Sequence, residues 1–119
     1  MKKILIAEDN LDTRELLATL LYLEGYIVLT ADDGDEALGV AKTERPDLLV
    51  TDLSMPHKNG IDLIKALRAQ ADFQALPILV LTALGKDSAD DAIRAGANEA
   101  LHKPVDYDSL LKRIQFFLS

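Results

Sequence analysis

Cysteine and tryptophan are both absent from this chain of 119 residues, and only two histidines, His57 and His102, are present. Without cysteine there is no disulfide framework, no thiolate nucleophile and no zinc knuckle, which fits a reducing compartment. Two histidines alone make no ligand cluster. Apolar runs are short, none nearing the roughly 20 residues that cross a bilayer. The amino terminus, Met1-Lys2-Lys3-Ile4-Leu5-Ile6-Ala7-Glu8-Asp9, turns acidic too soon for a signal peptide. A cytoplasmic protein without membrane insertion is expected. Basic residues are also scarce, 13 Lys and Arg against 20 Asp and Glu, for a net charge of -7. Such a surface repels phosphate backbones, so no direct nucleic-acid binding is expected, and any link to transcription needs a partner or a second domain.

Hydrophobic residues make up 49% of the chain, enough to give residues 1–119 one core and one domain. Five short apolar runs alternate with five helix-like segments, which predicts a parallel sheet with helices on both faces. The runs are Lys3 to Ala7, Tyr26 to Thr30, Asp47 to Thr51, Pro77 to Leu81 and the weaker Asn98 to His102. The first helix carries Leu16, Leu17, Leu20, Leu21 and Leu23 on one broad core-facing stripe, opened by Asn10 or Asp12 and closed by Gly25. The second, about Gly34 to Thr43, offers Ala37, Leu38 and Ala41. The third, about Gly60 to Ala71, turns Ile61, Leu63, Ile64 and Leu67 inward. The fourth, about Asp87 to Ala95, presents only Ala89, Ala92 and Ile93 to the core, and less burial means a less firmly held element. The fifth, Tyr107 to Leu118, is anchored by Leu110, Leu111, Ile114, Phe117 and Leu118. No output domain is expected in this chain beyond that helix.

The residues that follow the runs carry the chemistry. Glu8 and Asp9 follow the first, Asp52 the third, Thr82 the fourth, and Lys103 with Pro104 the fifth. In a parallel sheet these ends share one edge, and ligands bind there where the winding reverses. Two carboxylates about 4 Å apart repel by roughly 4 kcal/mol at an effective dielectric near 20. Three of them need more than the single positive charge of Lys103. An all-oxygen acidic pocket suits a hard divalent ion, Mg²⁺ or alternatively Mn²⁺. A metal held by carboxylates with open positions is built to receive phosphate oxygens, and phosphoryl transfer is catalysed by positioning and charge neutralisation. Asp52 is then the candidate nucleophile, with Thr82 and Lys103 holding the incoming oxygens.

Over its whole length the chain resembles the receiver domains of two-component response regulators, the stand-alone chemotaxis type among them. The resemblance rests on Glu8-Asp9, Asp52 with Met55-Pro56, Gly60, Thr82-Ala83, Gly96-Ala97 and Lys103-Pro104, whose joint order and spacing is specific although each is weak alone. It implies a flavodoxin-like sheet of order 2-1-3-4-5. It implies further that Asp52 accepts a phosphoryl group from a sensor histidine kinase or phosphotransfer protein. Asp9, Asp52 and the Ser54 backbone carbonyl would bind Mg²⁺, with Glu8 acting through water. Thr82 and Lys103 would bind the acyl phosphate, and a cis peptide would join Lys103 to Pro104. Such a protein is a signalling phosphoacceptor that assists its own phosphorylation and dephosphorylation, not a turnover enzyme. It signals to a downstream target through helix four, strand five and helix five.

The chain departs from the family pattern at Ala100, where many receivers carry an aromatic residue whose rotation accompanies the threonine's movement. Lys58, where an apolar residue is common, reads as solvated. His57 reads as an exposed loop residue and His102 as strand-end surface. Phe116, off the stripe of the fifth helix, is either terminal packing or a partner contact. Three other functions compete. An aspartate-nucleophile phosphatase of the haloacid dehalogenase type needs a second acid where Ser54 stands. A non-phosphorylated adaptor would not need the acid set and Lys103, although Ala100 suits it. Flavin or dinucleotide binding lacks its glycine-rich phosphate loop and meets an acidic first loop instead.

Overall fold

The computed structural model describes residues 1–55, 57–83 and 85–119. Its strands are β1 (Lys3–Ala7), β2 (Ile27–Ala31), β3 (Leu48–Asp52), β4 (Ile78–Thr82) and β5 (Glu99–His102). They alternate with helices α1 (Leu11–Leu23), α2 (Gly34–Glu44), α3 (Gly60–Arg68), α4 (Lys86–Ala95) and α5 (Tyr107–Leu118). Every strand pair is parallel and the order is β2-β1-β3-β4-β5, the flavodoxin-like arrangement. The winding reverses between β1 and β3, so those two strand ends open onto one crevice.

Successive side chains of a strand point to opposite faces, and both faces here are covered. Leu5, Leu49, Ile78 and Val80 pack with Ala37 and Ala41 of α2, Leu63, Ile64 and Leu67 of α3 and Ala92 of α4. Ile4, Ile6, Leu48, Val50, Leu79 and Leu81 pack with Leu21 of α1 and Leu110 and Ile114 of α5. Each fully buried leucine or isoleucine contributes about 1.5–3 kcal/mol, so the three inner strands are the most firmly held part of the chain.

The α1 stripe is narrower than its five leucines suggest. Leu21 is buried, Leu17 packs beside it, but Leu16 and Leu23 are 60% and 73% exposed. At 3.6 residues per turn those two lie roughly 140° and 160° round the helix from Leu21, beyond the arc that a sheet can cover. Asn10, not Asp12, caps α1 by accepting from the Thr13 N–H at 2.9 Å, and Gly25 closes the turn at φ 99°. The third helix ends at Arg68 rather than near Ala71, and a short 3-10 turn, Ala71–Phe73, follows and buries Phe73. Ile93 lies on the margin of α4, 45% exposed, so Ala89 and Ala92 are that helix's fully buried residues.

Strands β2, β3, β4 and β5 each begin one residue later than the apolar runs. The displaced residues have other work. The Asp47 carboxylate accepts the Lys3 N–H at 2.8 Å, Pro77 has no N–H to donate, and the Asn98 side chain accepts the Ile78 N–H at 2.8 Å. As a result β3 and β4 end on Asp52 and Thr82 themselves. No helix among the described residues is long and apolar enough to cross a membrane.

Candidate functional site

Asp52 closes β3, and its Oδ1 accepts the N–H groups of Leu53 at 2.7 Å and Ser54 at 3.4 Å. The carboxylate is therefore held over its own strand end by the chain that turns away from it. That turn is tight, because α3 begins directly above the strand. A Cβ on Gly60 would stand 2.3 Å from the Asp52 carbonyl oxygen and 2.8 Å from the Leu53 Cα, and the Gly60 N–H donates to the Leu53 carbonyl at 2.9 Å. The spacing from Asp52 to Gly60 thus has a steric cause: only glycine lets the helix start so close to the acid.

Glu8 and Asp9 leave β1 beside Asp52, and a carboxylate oxygen from each of the three lies within 4.8 Å of the others. Lys103, from the end of β5, reaches across. Its Nζ donates to Glu8 Oε1 and to Asp52 Oδ2, 3.1 Å in each case. The Lys103–Pro104 peptide is cis, and the Lys103 N–H donates to the Thr82 carbonyl at 2.8 Å. Glu8 is buried, Asp52 nearly so, Lys103 part-buried, and Asp9 exposed.

Burial pushes the Glu8 carboxyl above its ordinary range, and the Asp52 charge adds to this. Hydrogen bonds from Lys103 and from the Asn10 N–H only partly offset it. Burial pulls the Lys103 ammonium down, but its hydrogen bonds to Asp52 and Glu8 and their charges outweigh that and raise it overall. Three carboxylates set against one ammonium leave two negative charges uncompensated. The donors are all oxygens. This set fits a hard divalent cation and offers nothing to a thiophilic one.

Thr82 is buried at the end of β4, level with His102 of β5, and Ala83 beyond it is exposed. Ala100 pairs with Val80 and is half-buried, packed against the core cluster that includes Ala92 of α4. Ser54 is exposed just past Asp52 and Met55 is buried. Pro56 lies outside the described residues. His57 and His102 are exposed, as expected, whereas Lys58 is half-buried, with its carbonyl against Gly34 at the start of α2. Phe116 is 62% exposed and meets Phe117 edge-on at 5.2 Å, with the Arg113 guanidinium 4.6 Å above its ring.

Two arginines that no motif singles out also serve this edge and its supports. Arg14 of α1 donates to the Glu8 carbonyl at 2.9 Å. Arg68 gathers the Gly96 carbonyl at 2.8 and 3.0 Å, the Phe73 carbonyl at 2.6 Å and Asn98 Oδ1 at 3.1 Å. The available signal was weak: a lone arginine on the flank of a helical stripe.

A crevice at the reversal point of this sheet, with three acids and a lysine converging, is the arrangement of receiver domains. The sequence matches the family model described as the response regulator receiver domain over residues 4–115, and the chain belongs to that family. In particular, it is 40% identical over 113 residues to an uncharacterised 14.6 kDa protein of Leptolyngbya boryana, covering 94% of this chain and 86% of that one. It is 40% identical over 119 residues to the response regulator MprA of Mycobacterium avium, covering 98% of this chain but 50% of that protein. Against the probable transcriptional regulator ycf27 of Cyanophora paradoxa, also 40% identical, it covers 48% of the relative. The chain therefore spans about half the length of these two regulators. Among solved structures, the chemotaxis response regulator CheY4 of Vibrio cholerae superposes with a TM-score of 0.92 at 35% identity, over 98% of each chain.

Proposed function

We propose that Asp52 is the phosphoacceptor of this receiver, taking a phosphoryl group from a histidine kinase or a phosphotransfer protein. The observation that carries the reading is the double reach of Lys103 to Asp52 and Glu8. An ammonium beside Asp52 and Glu8 supports the reading, because it would meet the charge of an arriving phosphoryl group. In the transfer, the bond from phosphorus to Asp52 forms as the bond to the donor imidazole breaks. Lys103 stays against the acceptor and meets the negative charge of the arriving group. Thr82, at the end of the neighbouring strand, supplies a hydroxyl to the oxygens of the aspartyl phosphate that forms. The N–H groups of Leu53 and Ser54 keep the carboxylate oriented.

Glu8, Asp9, Asp52 and the Ser54 carbonyl are the groups that would hold Mg²⁺, with Mn²⁺ as an alternative. When bound, such an ion neutralises the oxygens of the transferring group. The signal then passes to α4, β5 and α5, whose surface meets an unidentified downstream protein. Helix α4 suits that task because its buried face is made of two alanines and its first turn lacks a side-chain cap. With Ala100 in place of an aromatic residue, the step from Thr82 to α4 has no aromatic rotation at that position to use.

The test is intact mass measurement after incubation with a small acyl phosphate and Mg²⁺. Wild type gains one phosphoryl unit that hydroxylamine removes, and Asp52→Ala gains none. Equal gain by both proteins would place the acceptor elsewhere. Sustained release of phosphate from phosphomonoesters would point to a hydrolase instead.

A further inference from the structure

The metal-binding acids differ in how they are held. Glu8 is fixed through its own carboxylate by Lys103 and the Asn10 N–H, and Asp52 by Lys103 and two backbone N–H groups. Asp9 is exposed, and among the described residues its carboxylate makes no hydrogen bond or ion pair. The backbone on either side of it therefore fixes where its Cβ stands relative to the other two acids. The peptide that joins Glu8 to Asp9 carries the carbonyl to which Arg14 Nη1 donates at 2.9 Å. The ends of this short loop are fixed as well. The Glu8 N–H donates to the Ala31 carbonyl at 3.0 Å, and the Arg14 N–H to the Asn10 carbonyl at 2.9 Å as α1 begins. Arg14 thus grips one of the two peptide planes that flank Asp9, the other being held by the Asn10 N–H on the Glu8 carboxylate, and rotation of either would swing Asp9 away from Glu8 and Asp52.

We propose that Arg14 is a positioning residue for the metal, holding the Glu8–Asp9 peptide so that Asp9 stays in reach of the cation. The inference rests on the metal and acceptor reading of the pocket given above. Arg14 touches neither metal nor phosphoryl group; it acts through Asp9. Its charge and its grip have opposite effects on metal binding. As a nearby positive charge, Arg14 repels a cation, so its removal through charge alone would tighten binding. As an outer support of a metal ligand, its removal loosens binding, and such supports are commonly worth about tenfold or more in affinity. The geometry favours the second effect, because the guanidinium is aimed at a backbone carbonyl and not at a carboxylate.

Calorimetric titration of Mg²⁺ into the chelator-treated chain tests this with wild type, Arg14→Gln, Arg14→Lys and Asp52→Asn. Arg14→Gln should raise the Mg²⁺ Kd by about tenfold. Arg14→Lys, which keeps the charge but loses the planar fork, should fall between it and wild type. At saturating Mg²⁺ the rate of phosphoryl gain by Arg14→Gln should return to the wild-type rate, which a general loss of structure would not allow. The metal-free melting temperature verifies the fold, and Arg14→Lys carries the test if Arg14→Gln does not fold. An unchanged or lower Kd in Arg14→Gln overturns the inference. If Asp52→Asn weakens Mg²⁺ binding while Arg14→Gln matches wild type, only the role of Arg14 is lost. If wild type binds no Mg²⁺, the pocket reading fails and this inference with it.

Discussion

A glutamate only 3% exposed, as Glu8 is, carries charge in a place that disfavours it. Its pKa is raised above 4.5 by burial first and by Asp52 second, against the pull of Lys103 and the Asn10 N–H. The folded chain therefore holds the Glu8 proton more tightly than the unfolded chain does. The stabilisation this provides is fully present below the unfolded value and is lost as pH rises through the folded one. In metal-free protein, Glu8→Gln, which stays neutral throughout, should gain stability relative to wild type as pH climbs from about 4 to about 7. Urea unfolding in the presence of a chelator measures the difference, and a difference that shrinks with pH would show that the fold favours the charged form. At this scale the acids, Thr82 and Lys103 were legible in the sequence, because an acid or a lysine just past an apolar run stands out against it. Arg14 and Arg68 were not. Their long side chains bond backbone carbonyls, and a carbonyl leaves no mark in the sequence.

At the scale of elements, α4 is held unevenly. Gly85, just before its first residue, supplies no side-chain cap, while Gly96, just after its last and at φ 126°, offers its carbonyl to two nitrogens of Arg68. The same guanidinium reaches the 3-10 turn and Asn98, which also receives the Ile78 N–H. One side chain thus ties the end of α4 to α3, to the entry of β4 and to the entry of β5. Burial lowers the Arg68 pKa from its ordinary value, the cost of placing a guanidinium among carbonyls. Arg68→Ala should destabilise the fold by about 1.5–3 kcal/mol, as expected when hydrogen bonds to a charged donor are lost. Amide exchange should quicken at the C-terminal end of α4 more than in β1 or β3. A stability change under about 0.5 kcal/mol would mean that α4 is held by its alanines alone. The sequence pattern identified α4 as weakly buried but could not show which end was fastened. The α1 stripe is narrower than its leucines imply for a related reason: leucine on a helix records apolarity, and the width of the covering sheet decides how much of it is buried.

For the molecule as a whole, strand alternation and the acids past the strands sufficed to predict a parallel sheet that brings those acids to one edge. The order of the strands came from family resemblance, since apolar runs do not say which strands are neighbours. That order makes β1 and β3 adjacent and so brings Glu8, Asp9 and Asp52 together. A fold that gathers three carboxylates around one lysine keeps a local excess of negative charge within a chain whose net charge is already -7. A cation that binds only the folded state relieves that repulsion and stabilises the fold, by about 2.7 kcal/mol at a hundred times its Kd. The most direct test of the account is the melting temperature of chelator-treated protein as Mg²⁺ is raised through the millimolar range. It should rise steadily in wild type and much less in Asp52→Asn, which begins with one less repelling charge. A melting temperature indifferent to Mg²⁺ in both proteins would contradict it.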